Sequence, residues 1–296
     1  MDVNHFGAID IGTNAGRLLI GYAIPEGDHI SIKKVSLTRV PLRLGEDVYS
    51  KSQLSEAKIA QLCNSLIAFK HLMAVYNVRD YRAVATSAMR EAKNGQQVCD
   101  ILFEQTGIKL EIIDGQEEAN YLFSTFSTQN IDQNKDYLFI DVGGGSTELT
   151  IVKKGTRVES KSFRIGALRT LKQKQDVSVW EEVEEWVDNY CRNGKTYIGI
   201  GTGGNINRIL KFNKKKHLEP LTYDEIRSTI DYISEFSTNE RITRLRLKPD
   251  RADVIIPAGK IYLRVMEICR AEKIIVPKIG VSDGIIYSLY NRHFVK

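Results

Sequence analysis

The 296-residue chain contains no run of 18 or more apolar residues, which excludes a helical membrane span. Its start, Met1-Asp-Val-Asn-His5, lacks the basic and apolar regions of a secretory signal and leads at once into a strand-like run, so the cytoplasm is the expected location. There is no CxxC pair. Cys63, Cys99, Cys191 and Cys269 lie far apart, several in helix-like apolar patterns, and are expected as buried free thiols. The five histidines show no metal-binding spacing, and Ser146 has no nearby His–Asp partner, which argues against a catalytic triad. Low-complexity tracts and short tandem repeats are absent. What remains is ordinary for a globular protein, 42% hydrophobic and 27% charged.

Charge is unevenly placed. Residues 1–119 carry 13 Lys+Arg against 15 Asp+Glu, and the rest of the chain 29 against 22. The basic excess gathers at Lys211, Lys214, Lys215 and Lys216, and again at Arg241, Arg244, Arg246, Lys248 and Arg251. Such clusters are either solvated loop charge or a field that draws in a polyanion. Aromatic residues are not interleaved with them, so no stacking platform for single strands exists and nucleic acid is not an expected partner.

The most informative feature occurs twice: an apolar strand, an aspartate, then small residues and glycine. The first copy is Phe6-Gly-Ala-Ile-Asp10-Ile-Gly12-Thr13-Asn14, and the second is Leu138-Phe-Ile-Asp141-Val-Gly143-Gly144-Gly145-Ser146-Thr147-Glu148. Glycine at a strand end lets backbone N–H groups approach an anion closely. Each turn is followed by a second strand, Arg17–Ile24 or Glu148–Val152, so both copies are hairpins. A dinucleotide fold or P-loop would run into a helix instead. Two matched hairpins about 130 residues apart suggest related lobes facing one cleft, and phosphate chemistry.

Periodicity places strands at 6–11, 18–24, 30–40, 81–86 and 109–113 in the first half, with helices at 55–76, 96–106 and 116–128. The polar stretch 127–135 is the linker candidate. The second half repeats strand, glycine turn, strand and a third strand at 157–165. Helix 179–191, strand 196–200, helix 206–212, helices 222–236 and 251–272, strand 273–276 and helix 282–294 follow. The expected class is α/β with a mixed sheet in each of two lobes. The lobes are placed at 1–125 and 126–280, with helix 281–296 as a candidate completion of the first.

Hydrolysing a phosphoanhydride requires holding the phosphates, neutralising their charge, aligning a water and accepting its proton. Gly12, Thr13, Asn14, Gly143, Gly144, Gly145, Ser146 and Thr147 are the phosphate-holding candidates. Asp10, Asp141 and Glu148 offer oxygen ligands for Mg2+, with Mn2+ as an alternative. Arg17 and Arg90 can clamp phosphate through bidentate guanidinium contacts. In Asp114-Gly-Gln-Glu117-Glu118, Glu117 suits a helix cap, whereas Glu118 lies ~100° further round the helix and is the candidate base. Gly199-Ile-Gly201-Thr-Gly203-Gly204 matches G-x-G-x-x-G, but no second parallel strand follows it. Gly201, Gly203 and Gly204 then form either a further phosphate or nucleoside-facing turn or a site of tight backbone packing.

Together these motifs resemble the exopolyphosphatase / guanosine pentaphosphate phosphohydrolase family, of the actin-like ATPase superfamily. Ala8-Ile-Asp10-Ile-Gly12-Thr13-Asn14-Ala15-Gly16-Arg17 is similar to the family's A-x-D-x-G-S-N-S-x-R, and Ala85-Thr86-Ser-Ala-Met-Arg90-Glu-Ala to A-T-x-x-x-R-x-A. Ile113 to Ala119 resembles I-S-G-x-E-E-A, Asp141 to Glu148 resembles D-x-G-G-G-S-T-E, and Arg251 to Ala258 resembles R-A-D-x-I-x-x-A. The resemblance implies a two-lobed actin-like (ribonuclease H-like) fold with the site in the inter-lobe cleft, and often a homodimer. It implies Mg2+-dependent removal of terminal phosphate from inorganic polyphosphate or guanosine pentaphosphate. Carried over residue by residue, it makes Glu118 the base, sets Asp141 and Glu148 at the metal, and has Arg90 hold phosphate.

Three departures stand out. Ala15 and Gly16 replace a serine and a bulky residue, and Ser282-Asp283-Gly284 replaces Arg-Glu-Gly, which removes a clamp. The helical extension of longer members is not within these residues, which shifts the expectation towards short chains or nucleotides. An actin-like small-molecule kinase and a non-catalytic sensor of guanosine tetraphosphate or ATP are the rival readings.

Overall fold

Uninterrupted apolar runs become central strands. All six residues of β1 (Phe6–Ile11) are buried, as expected of a strand covered on both faces. The computed structural model describes residues 4–27, 29–126, 129, 131–173, 176–191 and 197–295. After β1 come β2 (Gly16–Glu26), β3 (His29–Val40), α1 (Leu44–Lys51), α2 (Glu56–Val75), β4 (Asp80–Ala85), α3 (Ser87–Glu91), α4 (Gly95–Thr106), β5 (Leu110–Ile112) and α5 (Gly115–Ser124). Next are β6 (Asp136–Val142), β7 (Thr147–Lys153), β8 (Thr156–Phe163), α6 (Ala167–Leu171), α7 (Val179–Cys191), β9 (Ile198–Thr202) and α8 (Gly204–Phe212). The order ends with β10 (Leu221–Thr222), α9 (Tyr223–Ser234), α10 (Thr238–Thr243), α11 (Pro249–Ala252), α12 (Ile255–Ile268), β11 (Lys273–Ile275) and α13 (Val281–Phe294). The chain divides into two units, Met1–Asn130 with Ile279–Lys296, and Ile131–Lys278.

Each unit is built on one mixed sheet with flanking helices, the class read from the sequence. The first sheet runs β3-β2-β1-β4-β5 and the second β8-β7-β6-β9-β11-β10. The central strand of each pairs antiparallel with its hairpin partner and parallel with the strand after the first long helix. One strand pattern is therefore used twice, with β10 added at one edge of the second.

Alternation along β1 and β2 sorts side chains between two cores. Ile9, Ile11, Leu18 and Ile20 pack with α1–α4, while Phe6, Ala8 and Leu19 pack with α5 and α13. Asp10 and Arg17 are register partners on the second of these faces. The second unit buries one large core in which β6 and β7 meet α6, α7, α8, α9 and α12. All four cysteines are buried and free.

One difference from the expected elements has a clear cause. The helix expected over 251–272 is split into α11 and α12. Pro257 falls in the first turn of α12, where its missing N–H is one of the unpaired end groups anyway. In one continuous helix the same proline would break an interior bond. The 127–135 linker candidate and the start of the 196–200 strand lie partly outside the described residues.

Gly284 of α13 meets α5, because a Cβ there would sit 2.1 Å from the Tyr121 carbonyl oxygen. Asp283 accepts from the Gly280 N–H at 3.0 Å and pairs with Lys34 at 2.8 Å, so it secures the start of α13. Burial raises the Asp283 carboxyl above its ordinary value, and Lys34 opposes this. An acid raised on folding is a cost once ionised. Its contribution to stability is greatest below the unfolded value near 3.8 and declines as pH rises through the folded one. The stability advantage of wild type over Asp283→Asn is thus expected to shrink as pH rises above the unfolded value near 3.8, as urea unfolding will show.

Candidate active-site residues in the two units

The second hairpin holds its glycine turn in a defined orientation. Gly143 N–H donates to the Ser146 carbonyl at 2.9 Å, closing the turn. Ala167 N–H donates to Gly143 O at 3.0 Å, and the Leu168 and Arg169 N–H groups donate to Gly144 O at 2.9 and 3.0 Å. The Arg169 Nε–H donates to Gly145 O at 2.7 Å. In a trans peptide the C=O and the following N–H point in opposite directions. With three carbonyls tied to α6 and Arg169, the N–H groups of Gly144, Gly145 and Ser146 face away from α6, an orientation that suits an anion.

Gly166 permits this bracing, since a Cβ there would stand 2.4 Å from backbone atoms of Gly145. Gly166→Ala should disturb the turn by about 1–3 kcal/mol, the usual cost of overpacking. Binding of inorganic phosphate by calorimetry is expected to weaken roughly tenfold, with the fold retained.

Directly beneath the turn, Asp141 on β6 and Glu148 on β7 are cross-strand partners. Glu148 is 2% exposed. Its Oε1 accepts from Ser146 Oγ at 2.6 Å and Ser162 Oγ at 2.8 Å. Asp141 Oδ1 accepts from Thr202 Oγ1 at 2.6 Å, a residue paired with it in the parallel register of β9. Like charges directly opposite in a sheet repel, and a divalent cation offsets that repulsion. Two oriented carboxylates with hydroxyl neighbours, and no imidazole or thiolate among the partners just named, make a hard-oxygen donor set that fits Mg2+ or Mn2+.

Tyr262 of α12 ties the two strand ends together. Its hydroxyl donates to the Thr202 carbonyl and accepts from the Val142 N–H at 3.3 Å. Burial, reinforced by the Asp141 and Glu148 charges, pushes this phenol well above its usual range, so it stays protonated. Tyr262→Phe leaves buried backbone groups short of a partner. A loss of about 1–3 kcal/mol in urea unfolding is the expected result.

The first hairpin shows the same construction. Gly12 N–H donates to Ala15 O at 3.1 Å, while Gly45 and Arg43 N–H groups donate to Thr13 O and Asn14 O, each at 3.0 Å. The N–H groups of Asn14 and Ala15 consequently face away from that brace. Thr13 is buried, and among the described residues its hydroxyl finds no hydrogen-bond partner, as suits a side chain that meets a ligand oxygen.

The acids differ, however. Asp10 stands opposite Arg17 rather than a second acid, and the pair lies 2.7 Å apart. The structure therefore places the Arg17 guanidinium on Asp10, where the sequence suggested a phosphate clamp and a metal ligand.

On α5 the two neighbouring glutamates separate, and the Glu117 carboxylate does not close a capping box. Glu117 N–H donates to the Asp114 cap at 2.8 Å, and the Glu117 carboxylate pairs with Arg82 at 2.8 Å. Glu118 turns to a buried position, 8% exposed, with Arg90 Nη1 at 3.9 Å. Arg90 itself donates to the Ile113 carbonyl at 2.6 Å, which fixes it beside the start of α5.

The G-x-G-x-x-G turn is explained largely by packing. A Cβ at Gly201 would lie 2.7 Å from Ile274 Cδ1, and one at Gly204 would meet the Arg251 guanidinium at 2.5 Å. Gly203 adopts φ +98° next to Asp141. Several basic side chains are engaged locally: Lys215 with Glu225, Arg244 with Glu240, Arg241 with the Ile233 and Ala252 carbonyls, and Arg251 with the Gly204 carbonyl. Sequence reasoning missed Thr202, Ser162, Tyr262, Arg169 and Gly166. Only Thr202, at a strand end within the glycine motif, carried a local signal.

A model of the Ppx/GppA phosphatase family matches residues 23–293. Exopolyphosphatase 2 of Mycobacterium tuberculosis is 25% identical over 325 residues, covering 98% of this chain and 99% of that protein. The bifunctional 3-dehydroquinate synthase/phosphatase of Fusobacterium nucleatum is 28% identical over 91% of this chain, which spans only 44% of that longer protein. A crystal structure of the Aquifex aeolicus Ppx/GppA family member superposes with a TM-score of 0.77 at 26% identity, covering 100% of both chains.

Proposed function

Because this chain belongs to the Ppx/GppA phosphatase family, we propose that it hydrolyses the terminal phosphoanhydride bond of inorganic polyphosphate or guanosine pentaphosphate. The observation that supports this most strongly is the Asp141–Glu148 pair set across the hairpin from the braced 143–146 turn. The turn amides of Gly144, Gly145 and Ser146 hold the terminal phosphate. Asp141 and Glu148 hold Mg2+, which when bound neutralises charge on the phosphate oxygens.

Glu118 accepts the proton of the attacking water. The water oxygen bonds to phosphorus, the bridging P–O bond breaks, and the leaving oxygen carries away the negative charge. Thr202, Ser146 and Ser162 keep the two metal-holding carboxylates oriented. The likeness to exopolyphosphatase 2 over almost the full length of both chains supports polyphosphate as the substrate class.

Phosphate release measured with Mg2+ from long polyphosphate, tripolyphosphate, guanosine pentaphosphate and ATP tests the proposal. Release from one of the first three well above that from ATP is expected. Equal inertness of all four contradicts it.

A further inference from the structure

The second unit contains a cavity of about 510 Å3 whose lining lies outside the residues given roles above. Its walls come from the end of α6 (Thr170, Leu171), the start of α7 (Trp180) and one side of α12 (Ile256, Ile261). The volume falls within the range of small-molecule sites. Two cations, Lys260 and Arg264, stand on its α12 wall. Arg264 is engaged by Glu184 at 2.6 Å and Glu267 at 3.4 Å. Lys260 is exposed and has no acidic partner among the described residues.

An open pocket with an apolar wall, one indole ring and one ammonium that lacks an acidic partner among the described residues suits a specific ligand chemistry. A ring packs against Trp180, Ile256 and Ile261, while a single anionic group meets Lys260. A polyanion such as polyphosphate would need more free cations than this wall offers. A wholly apolar ligand would leave the ammonium without its counter-charge.

The walls also reach the phosphate-holding turn. Helix α6 has only five residues; its first three donate to the Gly143 and Gly144 carbonyls, and its last residue lines the cavity. Ile261 of the opposite wall immediately precedes Tyr262, which holds Val142 and Thr202. Anything that parts α6 from α12 therefore pulls on both supports of the turn.

We propose that this cavity binds a small aromatic molecule bearing one anionic group, and that its occupancy alters the 143–146 turn through α6. The assignment of the turn as a phosphate site rests on the proposed function, whereas binding and coupling can be read without any activity.

Calorimetric titration of the intact protein with 8-anilinonaphthalene-1-sulfonate supplies the probe. Saturable binding at one site is expected, weakened at least tenfold both by Ile256→Trp, which fills the chamber, and by the surface change Lys260→Glu. Amide hydrogen exchange at residues 143–146 should change at least threefold when the probe saturates wild type, and not in Ile256→Trp at the same concentration. Binding that survives both substitutions, or no saturable binding at all, overturns the site. Binding with unchanged exchange at 143–146 overturns the coupling. A protein that shows these effects yet releases no phosphate from any substrate refutes the proposed function alone.

Discussion

Glu118→Gln is expected to lower phosphate release by roughly 10²–10⁴-fold, the scale on which a general base contributes. The substitution keeps shape and hydrogen-bonding reach but removes the group that takes up the water's proton. Because the Asp114 carboxylate caps the helix by accepting the Glu117 N–H, α5 should fold as before. Arg90 keeps its bond to the Ile113 carbonyl, so the neighbouring backbone should also hold. The Mg2+ concentration giving half-maximal release is expected to be unchanged. A variant with full turnover would remove Glu118 from the reaction, and one with a shifted metal requirement would make it a ligand.

Glu148→Gln should show the complementary behaviour. Its carboxylate is buried, paired across the hairpin with Asp141 and oriented by two serine hydroxyls. Loss of an outer partner alone costs a metal site roughly 10–100-fold in affinity. Loss of a ligand carboxylate should raise the Mg2+ requirement by at least that much. The amide preserves volume and also removes the like-charge repulsion with Asp141, so the folded state should be no less stable without metal. Titrating Mg2+ in the phosphate-release assay, with thermal unfolding in chelator alongside, separates the two effects. If the metal requirement is unaltered, Glu148 has another role.

The hairpins were legible in the sequence because they combine two strong local signals, a continuous apolar strand and a glycine-rich turn. The Asp114 cap was legible too, since an aspartate accepts the N–H of the residue three places on whatever that residue is, but the pairing of the Glu117 carboxylate with Arg82 was not. The braces were not. Helix α6 is too short to show a period, and the αL residue Arg43 just before α1 gives no helix-start signal. Their backbone donors are supplied whatever the side chain.

Tyr262 reads as one more apolar position on a buried helix, and its contact with β6 spans 120 residues. Arg17 illustrates the opposite limit. Its type suggested phosphate, but strand register sets it against Asp10, and a register pairing cannot be read from either strand alone.

Direct attack by water is tested by hydrolysis of polyphosphate in 18O-labelled water with Mg2+, followed by mass analysis of the products. Direct attack by water puts one labelled oxygen in each released orthophosphate and none in the shortened chain, with no requirement for an acceptor. Unlabelled phosphate, or release that occurs only when a sugar or nucleotide acceptor is present, would contradict direct attack by water and return the chain to the kinase reading.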